Sequence, residues 1–313
     1  MPDNYLHNHK DFAALLRIVG SERKIAPVLV EKDYWIMHCL HGLQQMGMKF
    51  ELKGGTSLSK GFGIINRFSE DIDIRIDPPA ELKVSTGRNQ DKPSHAESRR
   101  QFYDWLAQNI KIDGITHVER DTQFDDAKFR SGGIRLNYAE VTGTKSDLKH
   151  GVLLEAGFDD VAPNEPKTIS SWGYDYAVGK VPIIDNRAHH VPCYAPGHTL
   201  VEKLQTISTK FRKQQETGDF PANFLRHYYD VYCLLEVPKV LCFIGTEEYL
   251  AHKSKRFRSE NPDIAGNEAF LLTNSATRRA YEDAYEGTKS LYYRDRPSFS
   301  EILSRIREFA DRL

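Results

Sequence analysis

The chain has 313 residues, 40% hydrophobic and 28% charged, with 21 Gly and 14 Pro, a composition that fits a soluble globular protein and excludes disordered or fibrous classes. A formal net charge of −1 gives no global attraction to nucleic acid, so any such contact must come from local patches. No apolar run approaches the roughly 20 residues that cross a bilayer, and the opening residues carry no apolar secretory segment, so the expected location is the cytoplasm.

The first 46 residues read as helices, with Val30, Tyr34, Met37 and Leu40 recurring at helical spacing. Residues 50 to 53 form a short strand, 57 to 65 a helix, and 71 to 76 a strand by strict alternation. The polar stretch at 77 to 98, DPPAELKVSTGRNQDKPSHAES, lacks periodicity and reads as a long surface loop. A helix resumes at 98 to 111 around Phe102, Trp105 and Leu106. The strand-like runs ITHVER, GIRLNYAE, HGVLLEAGF and WGYDYAV follow.

From residue 196 helical patterns dominate, and the last helix opens with SFSE, in which Ser298 and Glu301 can form a capping box. The expected class is α+β, a mixed-sheet domain at 1–195 followed by a helical domain at 196–313. Cys39, Cys193, Cys233 and Cys242 show no metal-ligand spacing and read as reduced thiols.

The chemistry concentrates in residues 53 to 77, KGGTSLSKGFGIINRFSEDIDIRID. Counted from Gly54, the sixth position is Ser59, so the Walker A pattern fails, and Asn66 stands where a dinucleotide fingerprint needs its third glycine. What remains is a strand, a Gly-Gly turn with Thr56 and Ser57, a helix, and a second strand. On that strand Asp71, Asp73, Arg75 and Asp77 share one face and Ile72, Ile74 and Ile76 the other. Two carboxylates side by side repel unless a cation sits between them. Mg²⁺, with a few carboxylates, water and substrate phosphate around it, suits that arrangement. Backbone N–H groups of Gly54, Gly55, Thr56 and Ser57 are placed to cradle a triphosphate. Phosphate added at Thr56 or Ser57 would repel that triphosphate. The bland alternative is a solvated strand face beside an ordinary turn.

VEKDYW (30 to 35), KGGTSLSKGFG (53 to 63), RFSEDIDI (67 to 74), VEKL (201 to 204) and RHYYDVY (226 to 232) together resemble the AbiEii/AbiGii-type toxin nucleotidyltransferases, the family that includes the MenT toxins. The resemblance spans roughly residues 30 to 235 and implies a nucleotidyltransferase fold of the polymerase-beta type. It implies an NTP donor, Mg²⁺ (with Mn²⁺ as a possible substitute), the tRNA 3′ end as acceptor and a cognate antitoxin as partner. It carries functional roles onto Lys203, as a phosphate contact, and Asp230, as a catalytically important carboxylate. His227 stands where many members have an acidic residue.

The residues themselves leave several of these readings open. Glu155 lies in an otherwise apolar run, so it is either a third metal carboxylate or a salt-bridge partner of an arginine such as Arg135. Lys203 flanks the stripe of Leu200, Leu204, Ile207 and Phe211 and by spacing alone is a surface lysine. Asp230 could simply pair with Arg226 one turn earlier. Glu31, Lys32 and Asp33 either line the cleft or make a charged turn beside Tyr34 and Trp35. KFRK (210 to 213), KSKRFR (253 to 258), Arg99 and Arg100 are candidate nucleic-acid contacts or solvated helix faces. Two further functions stay open: nucleotidylation of a protein side chain, and a nucleotide-binding module without catalysis.

Overall fold

In the computed structural model, which describes residues 4–143, 149–221, 223–258, 260–294 and 296–313, the backbone divides into two compact units. One comprises Met1–Phe62 with Ser69–Tyr194, the other Gly63–Phe68 with Ala195–Leu313.

The first unit is a seven-stranded mixed sheet with helices. In chain order it contains α1 (Phe12–Arg23), α2 (Pro27–Gln45), β1 (Lys49–Lys53), the single turn α3 (Gly54–Thr56), β2 (Asp71–Asp77) and α4 (Pro93–Asn109). There follow β3 (Ile115–Asp121), β4 (Ser131–Tyr138), β5 (Val152–Gly157), β6 (Asn164–Ile169), α5 (Trp172–Ala177) and β7 (Ala188–Tyr194). The spatial order is β3-β4-β5-β2-β1-β7-β6. β2 pairs with β5, and β1 with β7, in parallel; the remaining pairs are antiparallel.

Side-chain alternation sets the two faces of this sheet. Ile72 and Ile74 of β2, Leu154 and Ala156 of β5, and Ile134 and Leu136 of β4 are all buried on one face. Tyr103 of α4 covers that face: a Cβ on Gly132 would strike its ring, and its hydroxyl donates to the Ala156 carbonyl at 3.1 Å. Trp35 of α2 stacks on Tyr138 with ring centroids 4.8 Å apart. The opposite face carries the charged residues of β1, β2 and β5, because a period of two sends each aspartate of DIDIRID away from the isoleucines.

Three local expectations are corrected. WGYDYAV is the helix α5 rather than a strand, and the Ser171 hydroxyl caps it by accepting from the Tyr174 N–H at 3.1 Å. The helix after the glycine turn is wound as a π turn over Ser57–Gly61, with the Phe62 N–H reaching the Ser57 carbonyl at 3.1 Å, and it ends there rather than at 65. The 77 to 98 stretch becomes helix at Pro93, and its loop is pinned by two guanidinium groups. Arg99, fully buried, donates to the carbonyls of Ser85, Gln90 and Lys128, while Arg130 donates to those of Gly87, Arg88 and Gln90. Arg99 is therefore a loop anchor with no surface for nucleic acid.

The second unit contains α6 (Pro196–Thr217), α7 (Arg226–Leu234), α8 (Pro238–Phe243), α9 (Glu247–Arg256), α10 (Glu268–Leu271), α11 (Ser275–Glu286) and α12 (Phe299–Phe309). Leu200, Leu204 and Ile207 of α6 and Phe224, Tyr228 and Val231 beside or within α7 are buried, as their spacing requires. The capping box of Ser298 and Glu301 opens α12. The short segment 63–68 lies on this unit: the Phe68 N–H donates to the Leu291 carbonyl at 2.8 Å, and the Tyr229 hydroxyl accepts from the Asn66 N–H at 3.1 Å.

Candidate active site

In the sheet unit the site begins at the glycine turn. Gly54 has φ +69°, the left-handed region where only glycine sits without strain. A Cβ there would also run into the Asp73 carboxylate. The second requirement arises because β1 pairs antiparallel with β2 in a register that sets Lys53 opposite Asp73. The Asp73 carboxylate therefore leans directly over the turn.

The hydroxyls of the turn are committed elsewhere. Thr56 Oγ1 donates to the Asp71 carbonyl at 2.5 Å and ties the turn to the first residue of β2. Ser57 is fully buried, with its hydroxyl beside the buried Cys193 thiol. A triphosphate cradle at Gly54, Gly55, Thr56 and Ser57 would thus be made of backbone N–H groups; those of Gly54, Gly55 and Thr56 open the helical turn, where N–H groups lack intrahelical acceptors, while the Ser57 N–H donates to the Gly54 carbonyl. With both hydroxyls buried, a modifying enzyme has no access to either in this conformation.

Asp71 and Asp73 share one face of β2, and Glu155 stands opposite Asp73 in the parallel register with β5. Burial first, then Asp73 and Glu70, push the Asp71 carboxyl up to about 6. Burial, then Asp73 and Asp71, push Glu155 up to about 8, offset only in part by Lys53 and Lys149. Arg135 does not partner Glu155; its ion pair is with Asp121. Among the described residues no group of three or more His, Cys, Asp or Glu side chains is placed to hold a metal ion. A preformed three-carboxylate cage built on Glu155 is therefore absent. The Asp71 and Asp73 pair still suits Mg²⁺, which needs only one or two carboxylates beside substrate phosphates and water.

The charged residues of VEKDYW lie mid-helix in α2, all buried, and brace the loops around this face rather than forming a turn. Glu31 accepts from the Val141 and Thr142 N–H groups, both at 2.9 Å. Lys32 donates to the Lys149 carbonyl at 2.8 Å and lies 3.6 Å from Glu70. Asp33 is paired with Lys60 and accepts from the Trp172 N–H at 2.7 Å.

The helical unit holds a second charged centre. Asp230 is fully buried, and Arg67 grips it with both arms of its fork, Nε to Oδ1 at 2.6 Å and an Nη to Oδ2 at 2.7 Å. Lys203 reaches the same Oδ2 at 2.9 Å. Burial alone would push the Asp230 carboxyl up, but Arg67 and Lys203 outweigh it and hold the group well below the usual carboxylate range. Lys203, a surface residue by helical spacing, is 9% exposed. Lys203 and Asp230 are thus brought together, as a pair within one unit.

Arg67 escaped the sequence reading although it lies inside RFSEDIDI. Its partner is 163 residues away, and the only local signal was a cation directly before an apolar residue. Three arginines of the proposed nucleic-acid patches have carboxylate partners: Arg212 pairs with Glu216 and Glu260, Arg256 with Glu202, and Arg100 with Glu97 and Asp104. None of the helices among the described residues is long and apolar enough to cross a membrane.

No curated protein matches the sequence significantly. Among solved structures, an antigenic nucleotidyltransferase-like protein from Paracoccidioides brasiliensis gives a TM-score of 0.37 at 12% identity, covering 75% of this chain and 91% of that one. Terminal uridylyl transferase 4 from Trypanosoma brucei with bound dUTP gives 0.30 at 13% identity, covering 95% of this chain and 98% of that one. Residues 39–305 match the family described as "Nucleotidyl transferase AbiEii toxin, Type IV TA system", a span that takes in the glycine turn, Asp71, Asp73, Lys203 and Asp230. The chain belongs to this AbiEii toxin family and is a nucleotidyltransferase.

Proposed function

We propose that the protein transfers a nucleoside monophosphate from an NTP onto the tRNA 3′ acceptor end, blocking aminoacylation and so translation, as the toxin of a toxin–antitoxin or phage-defence pair in the cytoplasm. A cognate antitoxin is the expected protein partner. The observation that carries the reading is the Gly54 turn held against the Asp73 carboxylate, since it sets phosphate-binding backbone beside a metal-binding group.

The acceptor hydroxyl gives up its proton to solvent as its oxygen attacks the α-phosphorus, the bond to the bridging oxygen of the β-phosphate breaks, and pyrophosphate leaves with that electron pair. Asp71 and Asp73 would hold Mg²⁺, or Mn²⁺ in its place, which when bound supplies charge neutralisation at the reacting phosphates. The Gly54 to Ser57 backbone binds triphosphate oxygens. Lys203 offers a positive charge to the phosphates, and Asp230 orients Lys203. Glu155, pushed up to about 8, is largely protonated at neutral pH; it adds little repulsion until a cation arrives, when it can ionise as a third carboxylate.

A second reading, with a protein side chain as acceptor, is favoured by the near-neutral net charge of −1 and by the carboxylate partners of Arg212 and Arg256. Both readings are tested by incubating the protein with total tRNA, Mg²⁺ and each α-labelled NTP in turn, beside Asp73→Ala. Label in tRNA that the variant does not give supports the tRNA reading and names the donor. Label in polypeptide moves the acceptor to protein. Binding of NTP with no label in either would leave a nucleotide-binding module.

A further inference from the structure

His227 is the departure from the family pattern inside RHYYD, and its ring meets Lys203. Nδ1 stands 3.3 Å from the Lys203 ammonium. An ammonium can only donate, so Nδ1 must accept, and the imidazole there is the neutral form with its proton on Nε2. Burial, then Lys203 and Lys210, act in the same direction and hold the ring well below its ordinary value.

Lys203 thus has two of its three N–H directions fixed, one by Asp230 Oδ2 at 2.9 Å and one by His227. The described residues supply no acceptor for the third. The charges do not cancel: Arg67 and Lys203 are positive, Asp230 negative and His227 neutral, which leaves one positive charge. Arg67 cannot offer it outward, because its fork is spent on Asp230 and its remaining arm points at the Phe68 carbonyl at 3.3 Å. The excess charge is therefore presented through Lys203. An acidic residue in place of His227 would cancel it.

We propose that His227 is a positioning residue: it aims the third N–H of Lys203 and, by carrying no charge, leaves the Arg67–Asp230–Lys203 cluster one positive charge with which to bind the polyphosphate tail of the NTP. The proposal rests on the transferase reading for its ligand. The site itself lies wholly within the helical unit, so it can be tested separately.

The probe is inorganic tripolyphosphate, titrated calorimetrically into the full-length chain at two salt concentrations. Wild type is expected to bind with marked salt dependence. His227→Glu should weaken binding by about tenfold or more and flatten the salt dependence, while His227→Gln, whose amide oxygen can still accept from Lys203, stays within about threefold. In the transfer assay His227→Glu should raise KM for NTP far more than it lowers kcat. Thermal melts establish that both variants are folded.

No binding by wild type, equal affinity of wild type and His227→Glu, or an equal loss in both variants overturns the proposal. If tRNA or protein is labelled and His227→Glu labels as wild type does, the proposal fails while the transferase reading stands. If tripolyphosphate affinities follow the expected order but no NTP yields label, the site stands and the transferase reading falls.

Discussion

Gly54→Ala isolates the contact on which the proposed chemistry depends. Gly54 and Gly63 have nearly the same backbone, φ +69° and +65°, but differ in what a methyl group would meet. At Gly63 nothing lies within 4 Å, whereas at Gly54 the methyl would overlap the Asp73 carboxylate. A left-handed alanine costs about 1–2 kcal/mol, partly offset by the lower entropy of the unfolded chain, so Gly63→Ala should lose about 1 kcal/mol. Displacing a packed side chain adds about 1–3 kcal/mol, which puts Gly54→Ala at about 2–4 kcal/mol. In an Asp73→Ala background the overlap is gone, and the two substitutions should couple by about 1–3 kcal/mol. Urea unfolding of the single and double variants measures the cycle, and Mg²⁺ titration of nucleotide transfer by Gly54→Ala should require more metal because the carboxylate has been pushed aside. A Gly54→Ala variant no less stable than Gly63→Ala, with no coupling to Asp73, would refute the close approach.

Three further outcomes follow from the same geometry. Asp230→Ala leaves Arg67 and Lys203 buried without their counter-ion and should cost about 3–5 kcal/mol in urea unfolding, whereas a double change to Arg67→Met and Asp230→Leu should cost clearly less than that. Glu155 is raised from an ordinary 4.5 to about 8, so between these pH values the folded state holds a proton that the unfolded state has lost. Stability of the metal-free protein should therefore fall as pH rises from 4.5 to 8 and level off above, and this slope should be shallower in Glu155→Gln. Thr56→Val removes the tie to the Asp71 carbonyl, and melts should show a loss of about 1–2 kcal/mol with a weaker response to Mg²⁺.

The parts legible in the sequence were those written in local periodicity. Strict alternation fixed β2 and the shared face of Asp71 and Asp73, and helical spacing fixed the buried stripes of α6 and α7. WGYDYAV misled because its aromatics alternate as a strand would, while the deciding signal was a single capping hydroxyl on Ser171. β6 and β7 were hidden because each contains a proline, and Pro166 and Pro192 stand opposite one another in the ladder. In the site, spacing placed Lys203 at the surface, since α6 alone does not reveal that α7 brings a buried carboxylate to its flank. Glu155 showed itself as an acid in an apolar run, but its register with Asp73 needed the β2–β5 pairing.

The segment 63–68 imposes a schedule on synthesis. Arg67 leaves the ribosome early, yet its counter-ion is 163 residues further along the chain. At about 5–20 residues per second, Asp230 follows roughly 8 to 30 seconds later. Until then the guanidinium has no carboxylate to grip, and Lys203 lacks the same anchor. A nascent or truncated chain ending before α7 can carry the whole glycine turn and both aspartates and still lack the cationic cluster.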